Sequence, residues 1–229
     1  MAQQWASLWR DMGALSETSA RNSLSIGSVD IINNVLFVPF YQKLLSDHLE
    51  LELTINTHHS DEIHSLLEKR LIDIGFVISN SRYPEIISTP VYHEPMCLIT
   101  HPENGYRDGM SLSALPAHKE IYLRWSPEHE AWHRSHASGR SHLVNVDTGT
   151  LASHYLSIPG SWIVGPTSLL GYIRKWCPAA GYRLLETPPD LVCYQLTHRY
   201  PRPSKEKLLK QFQELFRSSH NASNLISNT

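Results

Sequence analysis

Long apolar runs, an excess of charge and paired cysteines are all missing from this sequence. Nowhere do about 18 apolar residues follow one another, as a bilayer-spanning helix requires. The first residues, MAQQWASLWRDMGAL, also lack the basic start and apolar stretch of an export signal. Twenty Lys and Arg nearly balance 22 Asp and Glu, giving a net charge of -2 and a pI near 6.7. That leaves no basic field of the kind that neutralises nucleic-acid phosphates. A cytoplasmic protein with no membrane partner is expected. The three cysteines, Cys97, Cys177 and Cys193, are odd in number, far apart and set in apolar stretches such as PMCLIT and LVCYQL, so buried thiols are expected. With 11 Gly and 14 Pro, no collagen-like or low-complexity class is indicated. The NAS sequon at Asn221 carries little meaning without secretion.

What is present is alternation. Trp5, Leu8, Trp9, Met12 and Leu15 have helical spacing, and the polar stretch SETSARN follows as a linker. Then LSIGSV reads as a strand, Ile31 to Ser46 as a helix, LELTINT as a strand, Asp61 to Arg70 as a helix and DIGFVIS as a strand. Such an order needs crossovers and a parallel sheet. Ser60 is placed to cap the second helix, whose buried stripe is Ile63, Leu66, Leu67 and Leu71. Two apolar extended segments from Ile86 to His101 hinge at Glu94 and Pro95. The alternation then restarts: EIYLRW, HLVNVDT and SWIVGP as strands, with helices at PEHEAWHRSHA, GTLASHYLSI and SLLGYIRKWC. Last come the strand DLVCYQLTHR and a helix capped by Ser204, with Leu208, Leu209, Phe212, Leu215 and Phe216 on its apolar face. The closing HNASNLISNT is expected to fray.

Within SPEHEAWHRSH, the residues His129, Glu130 and His133 satisfy the HExxH pattern of zinc peptidases. In that pattern two histidines one turn apart bind the metal and the glutamate acts as general base. The extended pattern fails, because His136 stands where a glycine would and Gly139 where a histidine would. The next glutamate after Glu130 is Glu186, and nothing in the spacing of His136 or Asp147 asks for either as a third ligand. Ser126 and Pro127 are start signals, so the motif falls in the first turn of a short helix followed by charged Arg134. A solvated surface helix is expected, with no metal and no cofactor; adventitious surface metal binding is the weaker alternative. No Ser, Cys or carboxylate sits in a nucleophile motif, so no enzyme activity is expected.

From Leu24 to about Ser219 the order of segments resembles the effector-binding domain of LysR-type transcriptional regulators. The resemblance rests on LSIGSV, VPFYQKLLSDHLELELTI, DEIHSLLEKRLIDIGFVIS, PVYHEPMCLITHPENG, SLSALPAHKEIYL, SWIVGP and LLKQFQELF in that sequence. It implies an α/β fold of two Rossmann-like lobes joined by two crossover strands, similar to type II periplasmic binding proteins. The expected division is residues 1–20 as the remnant of a linker helix, 21–97 with 193–219 as lobe I, 98–192 as lobe II and 220–229 as a polar tail. The family's winged helix-turn-helix has no counterpart in this chain, so DNA contact is expected only through a segment outside it. The resemblance further implies a small-molecule effector and self-association as a homodimer or tetramer, through the helix at Ile31 to Ser46 and the helix around Trp132. A stand-alone solute-binding protein of the same fold is the alternative. In SIPGSWIVGPTSLL, Ser161 and Trp162 depart from the family's glycine-rich pattern.

Open α/β sheets bind ligands beyond the carboxyl ends of their strands. The expected ligand residues are therefore Ser28, Val29 and Asp30, then His58, His59 and Ser60, then Ser79, with Thr100 at the hinge. Trp125, Ser126, Asp147, Gly165 and Pro166 follow from the second lobe, and His198 from the return strand. Asp30 would repel an anion unless paired, with His58 or His59 as partner and a pH-sensitive, small polar or zwitterionic effector as the consequence. Equally, Asp30 could cap a helix and the two histidines lie in a solvated loop.

Overall fold

Strand β1 (Ser23–Ser28) buries Leu24 and Ile26 on alternate positions and feeds a tight turn at Val29. The coordinates are a computed structural model that describes residues 23–137, 139, 141–175, 181–183 and 188–226. The helix expected at Trp5 to Leu15, and Cys177, lie outside the described residues.

The helix expected from Ile31 to Ser46 is divided. A π turn at Ile32–Leu36, closed by Phe37 N–H on the Ile32 carbonyl at 2.8 Å, precedes α1 (Val38–Asp47). Pro39 explains the division, since proline lacks an N–H and is tolerated only in a first turn. β2 (Glu52–Thr57), α2 (Ser60–Glu68) and β3 (Ile74–Val77) complete the first alternation. Two details differ from expectation. Ser60 is the first helical residue rather than the cap, and Leu71 lies beyond the helix end and is 64% exposed. The stripe's place is taken by His64, whose Nδ1 lies 2.7 Å from the Ser60 carbonyl and whose ring stacks on Tyr83.

β4 (Ile86–Glu94) and β5 (Met96–Thr100) meet at Pro95, where the chain leaves the first sheet for the second. Then come β6 (Ile121–Leu123), α3 (Pro127–Ala137), β7 (Val144–Val146), α4 (Gly149–His154), β8 (Trp162–Pro166), α5 (Thr167–Ile173) and β9 (Gly181–Arg183). β10 (Leu191–His198) returns to the first sheet, and α6 (Pro203–Ile226) closes the chain. Because α6 starts at Pro203, Ser204 sits inside its first turn instead of capping it, and the helix runs past the expected fraying point to Ile226.

The first sheet has the order β2-β1-β3-β10-β4, with β1, β2 and β3 parallel and β10 antiparallel to both neighbours. In the second lobe β8-β5-β9 is antiparallel and β6-β7 parallel, and a parallel bridge between Glu120 and Trp162 joins the two pieces. This is the two-lobed arrangement expected, but the expected bounds at residues 97 and 193 each shift by two: Met96 and Cys97 already pair in the second lobe, and Leu191 and Val192 already pair in the first sheet. Among the described residues no helix is long and apolar enough to cross a membrane.

An aromatic cluster holds the first lobe together. Phe37 meets Phe76 at 4.8 Å and Phe216 at 5.0 Å between ring centroids, so α6 is fastened over the first sheet. Cys97 and Cys193 are buried free thiols, as expected. Burial, with the Glu94 carboxylate nearby, pushes the Cys97 thiol up to about 12 and the Cys193 thiol up as well. Both therefore stay protonated, the unreactive form of cysteine.

Candidate functional site

Between the lobes lies a cleft of about 500 Å³ at the carboxyl ends of the parallel strands. From the first lobe Val29, Asp30, Thr57, His58, His59, Ser60 and Ser79 face it; from the second come Arg124, Trp125, Ser126, Glu130, Asp147 and Thr148. Its position follows from connectivity. Each parallel strand hands the chain to a helix at this edge, so turns and helix starts converge there. Asn33 fixes the floor, donating to the Asn56 carbonyl at 3.2 Å and Thr57 Oγ1 at 3.0 Å while accepting from the Tyr41 hydroxyl at 3.0 Å. Trp125 forms one wall and is 4% exposed. Its Nε1–H is committed to the Val164 carbonyl at 2.7 Å, so it offers a ligand only ring surface. Ser126 Oγ accepts from the His129 N–H at 3.1 Å and so starts α3.

Asp30 spans the cleft. Its Oδ2 accepts the Thr150 N–H at 3.0 Å and its Oδ1 the Thr150 hydroxyl at 2.8 Å, while Asn34 also donates to Oδ1 at 2.8 Å. The carboxylate thus caps a helix, as one expectation had it, but that helix is α4 of the opposite lobe. Pairing with His58 or His59 is not observed: His58 Nδ1 lies 3.1 Å from Glu62 Oε1. Hydrogen bonds to a charged acceptor contribute about 1.5–3 kcal/mol each, less when partly exposed as here. Asp30→Ala should therefore lower the unfolding free energy by about 1–2 kcal/mol and raise amide exchange at Thr150. Unchanged protection at Thr150 would mean that the strut does not hold in solution.

The sequence matches the family model described as the LysR substrate binding domain over residues 17–160. The chain belongs to this family. As a LysR substrate-binding domain it is the effector-sensing part of a LysR-type regulator. Its fold is similar to the reduced regulatory domain of OxyR2 from Vibrio vulnificus (TM-score 0.71, 11% identity, 86% of this chain and 94% of that one). It is also similar to the BenM effector binding domain with its effector benzoate (0.70, 17%, 88% and 93%). A third similar structure is full-length CbnR complexed with its target DNA (0.66, 19%, 95% and 78%). A search of curated proteins returned no match.

In this LysR domain nine of the expected ligand residues line the cleft: Val29, Asp30, His58, His59, Ser60, Ser79, Trp125, Ser126 and Asp147. Five do not. Ser28 is wholly buried beneath the turn. Gly165 and Pro166 are buried in β8, where a Cβ on Gly165 would press on Leu169 Cδ2 at 3.1 Å and touch Trp125 Cζ2 at 3.4 Å. Thr100 lies at the end of β5 away from the crossover and donates to the Ser161 carbonyl at 3.0 Å. His198 ends β10 beside Arg70 and Tyr200, away from the cleft. Thr100 and His198 share a cause: their strands run antiparallel to their sheet partners, so their carboxyl ends point away from the cleft. Glu94, taken only as a hinge, is a buried carboxylate that accepts the Thr167 hydroxyl (3.0 Å), the Ser168 N–H (2.8 Å) and the Ser168 hydroxyl (2.7 Å). Burial raises its pKa and these bonds oppose the rise.

The HExxH segment overturns an expectation. Its helix is not solvated on the histidine face: His129 is 3% and His133 6% exposed. His133 Nε2 lies 2.9 Å from Glu120 Oε1, and Glu120 Oε2 lies 3.0 Å from His142 Nδ1. Tyr122 stacks on His142 at 4.5 Å and leans on His133 at 4.6 Å. Both ring nitrogens of His129 are buried without a hydrogen-bond partner among the described residues. Each such unmet group costs about 1–3 kcal/mol. Burial, with His133 adding to it, pushes the His129 pKa down to about 4. Trp132, on the helix expected to serve self-association, is partly buried and packs against the core. Neither of the groups that meet His133 is adjacent to the motif in sequence: Glu120 lies nine residues before His129, and His142 beyond the helix. The β6-α3-β7 crossover brings both back to the helix, because Ile121 pairs with Val144.

Proposed function

We propose that this LysR domain responds to a small effector bearing an amine, a cation or zwitterion, held in the cleft between the lobes. The charge of the lining carries the proposal: Asp30, Asp61, Glu62, Glu130 and Asp147 face the cleft against a single guanidinium, that of Arg124. Most of these carboxylates have partners. Asp30 holds Thr150, Asp61 accepts from the Ser81 hydroxyl at 3.2 Å, Glu62 meets His58, and Glu130 lies 3.7 Å from Arg124 and 3.5 Å from Arg134. Asp147 is exposed at the end of β7 and is the carboxylate open to an incoming ammonium. A bare carboxylate such as benzoate, the effector of BenM, would meet a surplus of like charge here. For self-association, Val38 and Leu45 are exposed apolar residues on α1, whereas Trp132 is turned toward its own core.

A thermal-shift screen of small amines, amino acids and monocarboxylates tests the reading. Amine-bearing compounds should stabilise the domain, by about 2.7 kcal/mol at a hundred times Kd. Asp147→Asn should weaken the best of them about tenfold in calorimetry, or about 1.4 kcal/mol. Stabilisation by monocarboxylates alone, or affinity unchanged in Asp147→Asn, would defeat it.

A further inference from the structure

We propose that Glu120, His133, His142 and His129 form a binding site for a divalent zinc-type ion, on the side of lobe II away from the effector cleft. One donor atom each from Glu120, His133 and His142 lies within 4.8 Å of the others. The Glu120 carboxylate already meets both rings, His133 Nε2 at 2.9 Å through Oε1 and His142 Nδ1 at 3.0 Å through Oε2. An ion with bonds of about 2.0–2.1 Å to nitrogen and oxygen needs tetrahedral donors about 3.3 Å apart, so small outward shifts open the space. A hydrogen-bonded triad would account for these three residues by themselves. It does not account for His129, buried and without a partner, its ring 6.2 Å from that of His133 on the same helix face. Histidines four residues apart on a helix are the usual way for one helix to give a metal two ligands. Turning the His129 ring toward His133 supplies the fourth donor and ends its isolation.

The donor set suits the ion. Three imidazoles and one carboxylate are the nitrogen and oxygen ligands zinc takes in four-coordinate sites, and the absence of thiolate argues against softer metals. Binding needs no net loss of protons from neutral imidazoles, since each ring proton can move to the nitrogen that faces away from the metal. Tyr122, stacked on His142 and leaning on His133, restricts both rings as an outer partner should. With four protein donors the shell is closed, which marks the ion as structural or regulatory, and Glu130 faces the cleft instead of the ion. The ion would tie α3 to the starts of β6 and β7, while the first turn of the same helix borders the effector cleft.

Zinc chloride titrated into the 229-residue chain, in a buffer that does not bind metal, provides the test. One ion per chain should bind with Kd below about 1 µM. His142→Gln and His129→Gln should each weaken binding by about a hundredfold or more, at or beyond the effect of losing an outer partner. His136→Gln, an exposed change on the same helix, should leave affinity as it was. Affinity unchanged in His142→Gln or in His129→Gln overturns the site, as does a loss on His136→Gln that matches theirs. Should either variant fail to fold, X-ray absorption on the zinc-loaded unmodified chain decides. Three imidazole nitrogens at about 2.0–2.1 Å support the assignment, and fewer than three overturn it.

Discussion

Trp125→Ala is expected to lower the unfolding free energy by about 3–5 kcal/mol, the usual range when a buried tryptophan is cut to alanine. The ring is 4% exposed and lies where three parts of the second lobe converge. On one side is Gly149, where a Cβ would come within 3.0 Å of Trp125 Cη2, and on another is Gly165. No side chain on either neighbour can swing in to fill the space, so the cavity would stay largely open. The Val164 carbonyl would also lose its 2.7 Å hydrogen bond. Trp125→Phe keeps most of the ring volume and should cost less, about 1–2 kcal/mol, mainly for that lost bond. Guanidinium unfolding, followed through the midpoint with the slope unchanged, measures both. A loss below 1 kcal/mol for the alanine variant would show that the wall rebuilds itself without the indole.

Phe216→Ala should be as damaging, again about 3–5 kcal/mol. Phe216 is 1% exposed and its ring meets Phe37 at 5.0 Å, Phe76 at 5.3 Å and Phe40 at 5.5 Å. The edge-on geometry of the Phe37 contact adds about 0.5–1.5 kcal/mol to the burial of area. Leu215, the neighbour on the same helix, is 39% exposed, and Leu215→Ala should cost about 1 kcal/mol or less. The contrast between adjacent residues is the useful measurement. Similar losses for both would mean that α6 is seated differently on the first sheet.

Leu215 also shows how far the sequence could be read. Helical spacing placed it with Phe212 and Phe216, yet a single helix against a single sheet buries a stripe narrower than the run of apolar residues. Leu71 failed for a different reason: α2 stops at Glu68, and periodicity does not mark a helix end. The alternation of strands and helices was legible because burial enforces it residue by residue, and nine cleft residues followed from that order alone. Strand direction was not legible. β5 and β10 look like the parallel strands β1 and β3 in composition, and only pairing reveals that Thr100 and His198 stand away from the cleft. Around HExxH the charge of Arg134 marks only one face of the helix, and the face that carries His129 and His133 is buried. Glu120 and His142 join them through a crossover that no local pattern records.

The Asp30 strut also bears on timing. If it is worth about 1–2 kcal/mol, a lobe separation that breaks it is populated about 5–30-fold less often than it would otherwise be. An effector that can enter only through the separated form would then arrive that much more slowly, whatever its final affinity. Glu94 holds Thr167 and Ser168 at the crossover itself and would keep the pivot fixed while the rim parts. One carboxylate would thus set how often the domain listens, while the other keeps its two halves in register.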